Sequence, residues 1–234
     1  PIHQVVDGHL AIQYAAENNM RAMMWIPPTD ALKPRFELYR DKKAAKEQRA
    51  VNLGEGVSLV RDMFCAESKA EAKRIGGAGI VDYLRWVCHW RGLDNHRHLG
   101  EELPKTENKL DLLSVDFLDE RNLLFGTPDE ISARIEEMID VLNLQHLLVW
   151  SHFPGVGHEA AMRSVKLFTD EVMPRFKGRV GLHQHTHMVA RFVAAPVQRQ
   201  LRAAQGPVQR VGRFQAHQGS TRIVVEQPVA VDVH

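Results

Sequence analysis

Several groups of residues in this chain have types and spacings that suit chemistry. Asp7-Gly8-His9 separates the short β-branched stretch Ile2-His3-Gln4-Val5-Val6 from a helical run, Leu10 to Asn18. A turn from strand into helix offers an anion unpaired backbone N–H groups and the positive end of the helix dipole. Trp25 stands near the end of the next apolar run, Ala22-Met23-Met24-Trp25-Ile26, as a flat apolar surface. Ser151 and His152 follow the run Gln145 to Trp150 in the same way. His183, His185 and His187 alternate as strand side chains do, a pattern that can hold zinc, copper or nickel. They have no nearby acidic or thiolate residue, so no metal site is expected. Cys88, His89, His96 and His98 are clustered but match no zinc-ligand spacing, and a chance grouping is expected.

The elements that must position these residues alternate in type. The two short runs above and Gly56-Val57-Ser58-Leu59-Val60 read as strands, as does Gln145-His146-Leu147-Leu148-Val149-Trp150, which looks buried. Between them, Leu32, Phe36 and Tyr39 fall on one helical face, and Ile80, Leu84 and Val87 form a stripe within Ser68 to Trp90. The Gly76-Gly77 pair is expected to break that helix in two. Thr127-Pro128-Asp129-Glu130 carries the marks of a capping box with proline at the first helical position. Ile131, Ile135, Met138, Ile139 and Leu142 then keep one face, and a last helix from about Glu159 to Val172 turns Ala161, Val165, Phe168 and Val172 inward. Strand and helix in alternation make an α/β chain with parallel strands and helical crossovers.

Composition narrows the reading. With 44% apolar residues in 234, a sizeable core is available. No apolar run approaches the roughly 18 residues of a bilayer crossing, and no basic-then-apolar leader is seen at the start, so no membrane partner is expected. Cys65 and Cys88 are too few for a disulfide framework and fit a reducing cytoplasm as inert packing residues. The net charge of +1 conceals an asymmetry: residues 177–234 carry eight Lys and Arg against two acids, leaving the first 176 acidic. That last segment has only Phe192 and Phe214 as aromatics, which argues against nucleic acid as a partner. It is expected to be a disordered or non-native basic tail appended to a 1–176 domain. No GxGxxG follows a strand and no GxxxxGK[ST] occurs, which favours a (β/α)8 barrel over a doubly wound sheet. A complete barrel takes about 250 residues; residues 1–176 supply about four strands, half of one.

The stretch Pro1 to Pro28, Gly54-Glu55-Gly56-Val57-Ser58, Phe125-Gly126-Thr127-Pro128-Asp129-Glu130, and Leu167 through Val172-Met173-Pro174 to Phe176 occur in order. Together they resemble the C-terminal half of the bacterial luciferase-like flavin-dependent monooxygenases. The resemblance implies a (β/α)8 TIM barrel that binds reduced FMN or a related deazaflavin and uses dioxygen or hydride chemistry on a small organic substrate. It implies that Asp7, Gly8 and His9 lie where the flavin phosphate is held, although Gly8 and Ala11 stand where the family carries hydroxyl side chains. Trp25 would then wall the isoalloxazine ring at the barrel mouth, and Arg91 to Asn122 would match the family's mobile lid. The family's reactive residues lie mostly on early strands, so no catalytic residue is assigned. A flavin reductase is an expected partner. A first strand without its neighbour would leave an open sheet edge, so the chain is also expected to be a fragment that associates with a second copy or another subunit. The alternative to an enzyme is therefore a non-catalytic half-barrel bound to a second subunit.

Overall fold

A computed structural model describes residues 2–177. The His183, His185 and His187 pattern and the expected basic tail lie outside the described residues.

Five strands, β1 (His3–Val5), β2 (Arg21–Met24), β3 (Val57–Cys65), β4 (Leu123–Gly126) and β5 (Leu147–Trp150), form one wholly parallel sheet. Its centre is β3. Leu59 pairs with Met24 of β2 and with Leu147 of β5, and Asp62 pairs with Leu123 of β4 and with Trp150 of β5. A residue pairs with one strand on each edge, so β2 and β4 follow one another along one edge of β3 and β5 runs along the other. Four strands therefore lie side by side as β1-β2-β3-β5, with β4 added at the C-terminal end of β3. In a flat sheet three strand spacings would hold β1 and β5 about 14 Å apart. Yet the rings of His3 and His146, at the starts of those strands, have centroids 6.2 Å apart. The sheet curls, as a barrel wall does.

Helices α1 (His9–Glu17), α2 (Thr29–Glu47), α3 (Lys69–Arg91), α4 (Val115–Asp119), α5 (Pro128–Leu142), α6 (His158–Leu167) and the short α7 (Met173–Phe176) follow. Leu32, Phe36 and Tyr39 on α2, and Ile131, Ile135, Met138, Ile139 and Leu142 on α5, are all buried in one core with the sheet, as their helical spacing predicts. Ala161, Val165, Phe168 and Val172 are buried too, although α6 gives way to a π-helical turn at Phe168–Val172. The capping box forms in full, with Glu130 N–H donating to Thr127 Oγ1 at 3.3 Å and Thr127 N–H donating to Glu130 Oε2 at 2.9 Å. Thr127→Ala removes one half of this pair and should lower stability by about 1 kcal/mol, read as an earlier urea midpoint at unchanged slope.

Three expectations are corrected. The helix carrying Gly76-Gly77 does not break: α3 runs unbroken for 23 residues. Its glycines serve packing, since a Cβ on Gly76 would stand 2.9 Å from the Phe125 ring. The strand read as ending at Val60 continues to Cys65, carrying Arg61 and Asp62 into the interior. The β5 strand is only partly covered, with Leu147 buried but Trp150 42% exposed.

Candidate functional site

Side chains alternate along β3. Val57, Leu59, Met63 and Cys65 join the core beneath the helices, so Ser58, Val60, Asp62 and Phe64 project to the concave face. Asp62 is 1% exposed. Its Oδ2 accepts from Trp25 Nε1 at 2.9 Å, while Oδ1 has no partner. Burial pushes this carboxyl up to about 7, against the lowering pull of the Trp25 bond and of Arg61. Trp25, just past the end of β2, lies against two further rings: Trp150 at the end of β5, 6.1 Å away and 21° from coplanar, and Tyr83 of α3, 5.9 Å away. Tyr83 and Trp150 close the triangle at 5.6 Å. The strand ends thus hold a three-ring patch over a buried carboxyl. One face of Trp25 is spent on Trp150, which narrows its expected role as a free wall.

Arg61 faces the opposite way and is also buried. Its guanidinium donates to the carbonyl of Trp25 and, at 2.7 Å, to that of Pro27. This explains why β2 stops at Met24: beyond it the backbone acceptors are taken by a side chain, and Pro27-Pro28 has no N–H to offer β3. Burial pushes the Arg61 guanidinium down to about 9, so it stays charged at neutral pH.

The turn after β1 holds the second part of the site. Gly8 is the N-cap of α1 and supplies no side-chain cap, which leaves the first helical N–H groups without that partner. Asp7 is gripped from three sides: Asn95 Nδ2 donates to Oδ2 at 2.8 Å, Arg35 lies 3.4 Å from Oδ1, and Arg91 lies 3.8 Å from Oδ2. Two guanidiniums against one carboxylate leave the turn electropositive. His9 is the exposed first residue of α1. Sequence reasoning missed Arg35, Arg91 and Asn95, which lie 28 to 88 positions from Asp7 and carry no local signal.

The stretch from Arg91 to Asn122 is tied down at this end. Arg35 Nη2 donates to Asn95 Oδ1 at 3.0 Å, and Asp30 of α2 pairs with His98 Nδ1 at 3.0 Å and accepts from Leu99 N–H at 2.8 Å. Leu93, Leu113 and Leu118 are buried. Of the clustered thiol and imidazoles, Cys88 and His96 do meet, Sγ to Nε2 at 3.4 Å, both buried. Burial pushes the thiol up to about 11 and the imidazole down to about 4, so both are neutral at pH 7 and the pair is no thiolate nucleophile. No group of three or more His, Cys, Asp or Glu placed to hold a metal occurs among the described residues. His152 Nε2 lies 3.2 Å from the Val156 carbonyl within its own loop, and Trp150 Nε1 donates to the His152 carbonyl at 3.0 Å. No helix among the described residues is long and apolar enough to cross a membrane.

Comparison with known proteins gives a likeness of structure. No protein-family model matches the chain, and neither does any curated protein. Among solved structures it is similar to the oxygenating constituent of 3,6-diketocamphane monooxygenase from the CAM plasmid of Pseudomonas putida. That type II Baeyer-Villiger monooxygenase was solved in complex with FMN (TM-score 0.58, 20% identity, 74% of this chain and 47% of that one). A monooxygenase from Streptomyces bottropensis matches at TM-score 0.57 and 20% identity over 75% of this chain and 48% of that one. The coenzyme F420-dependent tetrahydromethanopterin reductase from Methanopyrus kandleri matches at TM-score 0.50 and 15% identity over 76% and 51%. What they share with this chain is the fold. It is a parallel α/β architecture in which helices cross between neighbouring strands. The chain spans about half the length of each of these structures.

Proposed function

We propose that this chain supplies the flavin-binding wall of a flavin-dependent monooxygenase of the luciferase-like kind, acting with reduced FMN or a deazaflavin on a small organic substrate. The observation that carries the reading is the pairing, at the C-terminal ends of adjacent strands, of an electropositive helix start with an aromatic patch. Ligands of barrel folds gather at those ends. The residues fit the group: the uncapped N-terminus of α1 at Gly8 and His9, with Arg35 and Arg91 beside Asp7, suits a phosphate. Trp25, with Tyr83 and Trp150, offers the flat apolar surface a tricyclic ring needs. A reduced flavin, when bound, supplies electrons to dioxygen. This chain's own residues bind and orient it, and Asn95, His98 and Leu99 hold the segment beyond α3 across the turn, where it limits water. Asp62, with one carboxyl oxygen unpaired, is placed to hold a proton next to Trp25. The electron source is a separate flavin reductase.

Arg35→Ala tests the phosphate assignment. It should weaken FMN binding about tenfold, the worth of one charge-assisted contact, and leave riboflavin binding unchanged. An equal loss for both flavins would remove the phosphate from this turn.

A second reading is favoured by the sheet itself. Among the described residues β1 pairs only with β2 and β5 only with β3, so each has a free edge. Val5 on the concave side is 64% exposed. A half-barrel that associates through this face with a second copy or another subunit is the non-catalytic alternative. Sedimentation of a folded monomer without flavin affinity would defeat both readings.

A further inference from the structure

The wholly parallel sheet is fully covered on one face only. On the helix side Val6, Met24, Leu59 and Leu147 are buried. On the concave side Val5, Met23, Val60 and Leu148 are just as apolar, yet Val5 is 64% exposed and the other three are half-buried. Parallel sheets occur almost only with both faces covered. The two outer strands also have backbone groups to spend. Val6 N–H donates to the Met23 carbonyl and Arg21 N–H to that of Ile2. Alternate residues of β1 therefore bond to β2, and Val5 turns its N–H and C=O outward. On β5, the His146 carbonyl accepts from Leu59 N–H, so Leu147 and Val149 turn theirs to the opposite outer edge. Among the described residues no strand pairs with either edge.

We propose that a second copy of this chain covers the concave face, with β5 of each copy pairing in parallel with β1 of the other to close a barrel. The proposal rests on the half-barrel reading above and names its partner and its geometry. Four curled strands lie side by side, and two such sets make the eight strands of a closed (β/α)8 barrel. A twofold axis along the barrel joins unlike edges, β5 to β1, at two identical seams and leaves no edge open. A twofold axis across the strands would join like edges, β1 to β1 or β5 to β5, antiparallel. That arrangement leaves two edges open as templates for further pairing. Closure also brings the strand end at Trp150 beside the Asp7-Gly8-His9 turn of the second copy. Aromatic patch and electropositive turn then meet at each seam, which completes the mouth that one copy only half encloses.

The test is the mass of the full-length chain by sedimentation equilibrium, for the parent and for two proline variants. Val5→Pro and Val149→Pro each replace one outward N–H with a ring and remove no bond to β2 or β3, a change that edge strands tolerate. The parent is expected to be a dimer and each variant alone a folded monomer, because both seams of its dimer would carry a proline. Mixed in equal amounts, the two variants should recover a dimer, since one seam then carries both prolines and the other none. Amide exchange in the parent covers the case in which a variant fails to fold. The N–H groups of Val5, Leu147 and Val149 should be protected in the dimer and lose that protection on dilution; fast exchange of all three in a persisting dimer would overturn the proposal. Loss of the dimer in one variant only would show pairing of like edges, and a dimer indifferent to both variants would show another surface. Either result overturns the proposal while leaving association itself standing. Species larger than a dimer would show seams that do not close, and would overturn it as well. A parent that stays a folded monomer at every concentration would overturn the second copy as partner, whatever its flavin affinity.

Discussion

Replacing Gly79 with alanine should cost about 3 kcal/mol or more, at the upper end of what overpacking a tight core costs. A Cβ there would stand 2.0 Å from the carbonyl oxygen of Pro154 and 3.2 Å from Phe153 Cβ. The obstruction is backbone, so α3 or the loop after β5 must move. That loop seats Phe153 and Val156 in the second core cluster, and one turn further along α3 sits Tyr83, which closes the ring patch with Trp25 and Trp150. The variant should therefore lose near-ultraviolet circular dichroism along with stability. Gly77→Ala is the control in the same helix. Its Cβ meets only the side chain of Val115, with Cγ2 at 3.1 Å and Cβ at 3.4 Å, and the higher helix propensity of alanine offsets the contact. Similar urea midpoints for the two variants would show that α3 does not press on the Pro154 loop.

The second large effect is one of pH. Asp62 is raised to about 7 by burial, whereas in the unfolded chain it titrates near the ordinary carboxyl value of 3.8. Between those values the folded state holds a proton that the unfolded state has released. The carboxyl's contribution is thus full below about pH 4, declines across the window and is gone once the pH passes about 7. At 1.36 kcal/mol per unit, the loss by neutral pH is on the order of 4 kcal/mol. Asp62→Asn keeps an acceptor for Trp25 Nε1 and removes the titration. It should match the parent near pH 4 and exceed it increasingly up to pH 7. His96 works in the opposite sense. Burial lowers it to about 4, so it stabilises above its unfolded value near 6.5 and that stability is lost as pH falls toward 4. In the parent the two slopes oppose each other across most of the window, and Asp62→Asn should expose the rising one alone. A stability difference between variant and parent that stays constant from pH 4 to 7 would mean that Asp62 is ionised throughout.

How far the sequence could be read follows from where the controlling interactions lie. Helix faces and the Thr127 cap depend on neighbours three or four positions away, and those expectations held. The extent of β3 was lost because Arg61-Asp62 looks like a solvated end. Only the tertiary structure shows Arg61 serving the carbonyls of Trp25 and Pro27 and Asp62 serving Trp25 Nε1. A pair of opposite charges inside the apolar run Leu59-Val60-Arg61-Asp62-Met63-Phe64-Cys65 was the available signal. The strand β4 was passed over because it is four residues long and runs straight into the capping box. Gly76-Gly77 read as a break because propensity is local, while the contact with Phe125 that requires a bare Cα is not. At the site, Asp7, Gly8, His9 and Trp25 could be named from the strand-to-helix pattern and the family likeness. Arg35, Arg91, Asn95, Tyr83 and Trp150 could not, since they reach the site from other elements.

Binding of reduced flavin against the rings and the start of α1 can be measured by titrating the purified chain with reduced FMN under anaerobic conditions while following tryptophan fluorescence. Saturable quenching is expected in the parent and weakened quenching in Trp25→Ala. No saturable quenching at high micromolar reduced FMN, or quenching indifferent to Trp25→Ala, would contradict it.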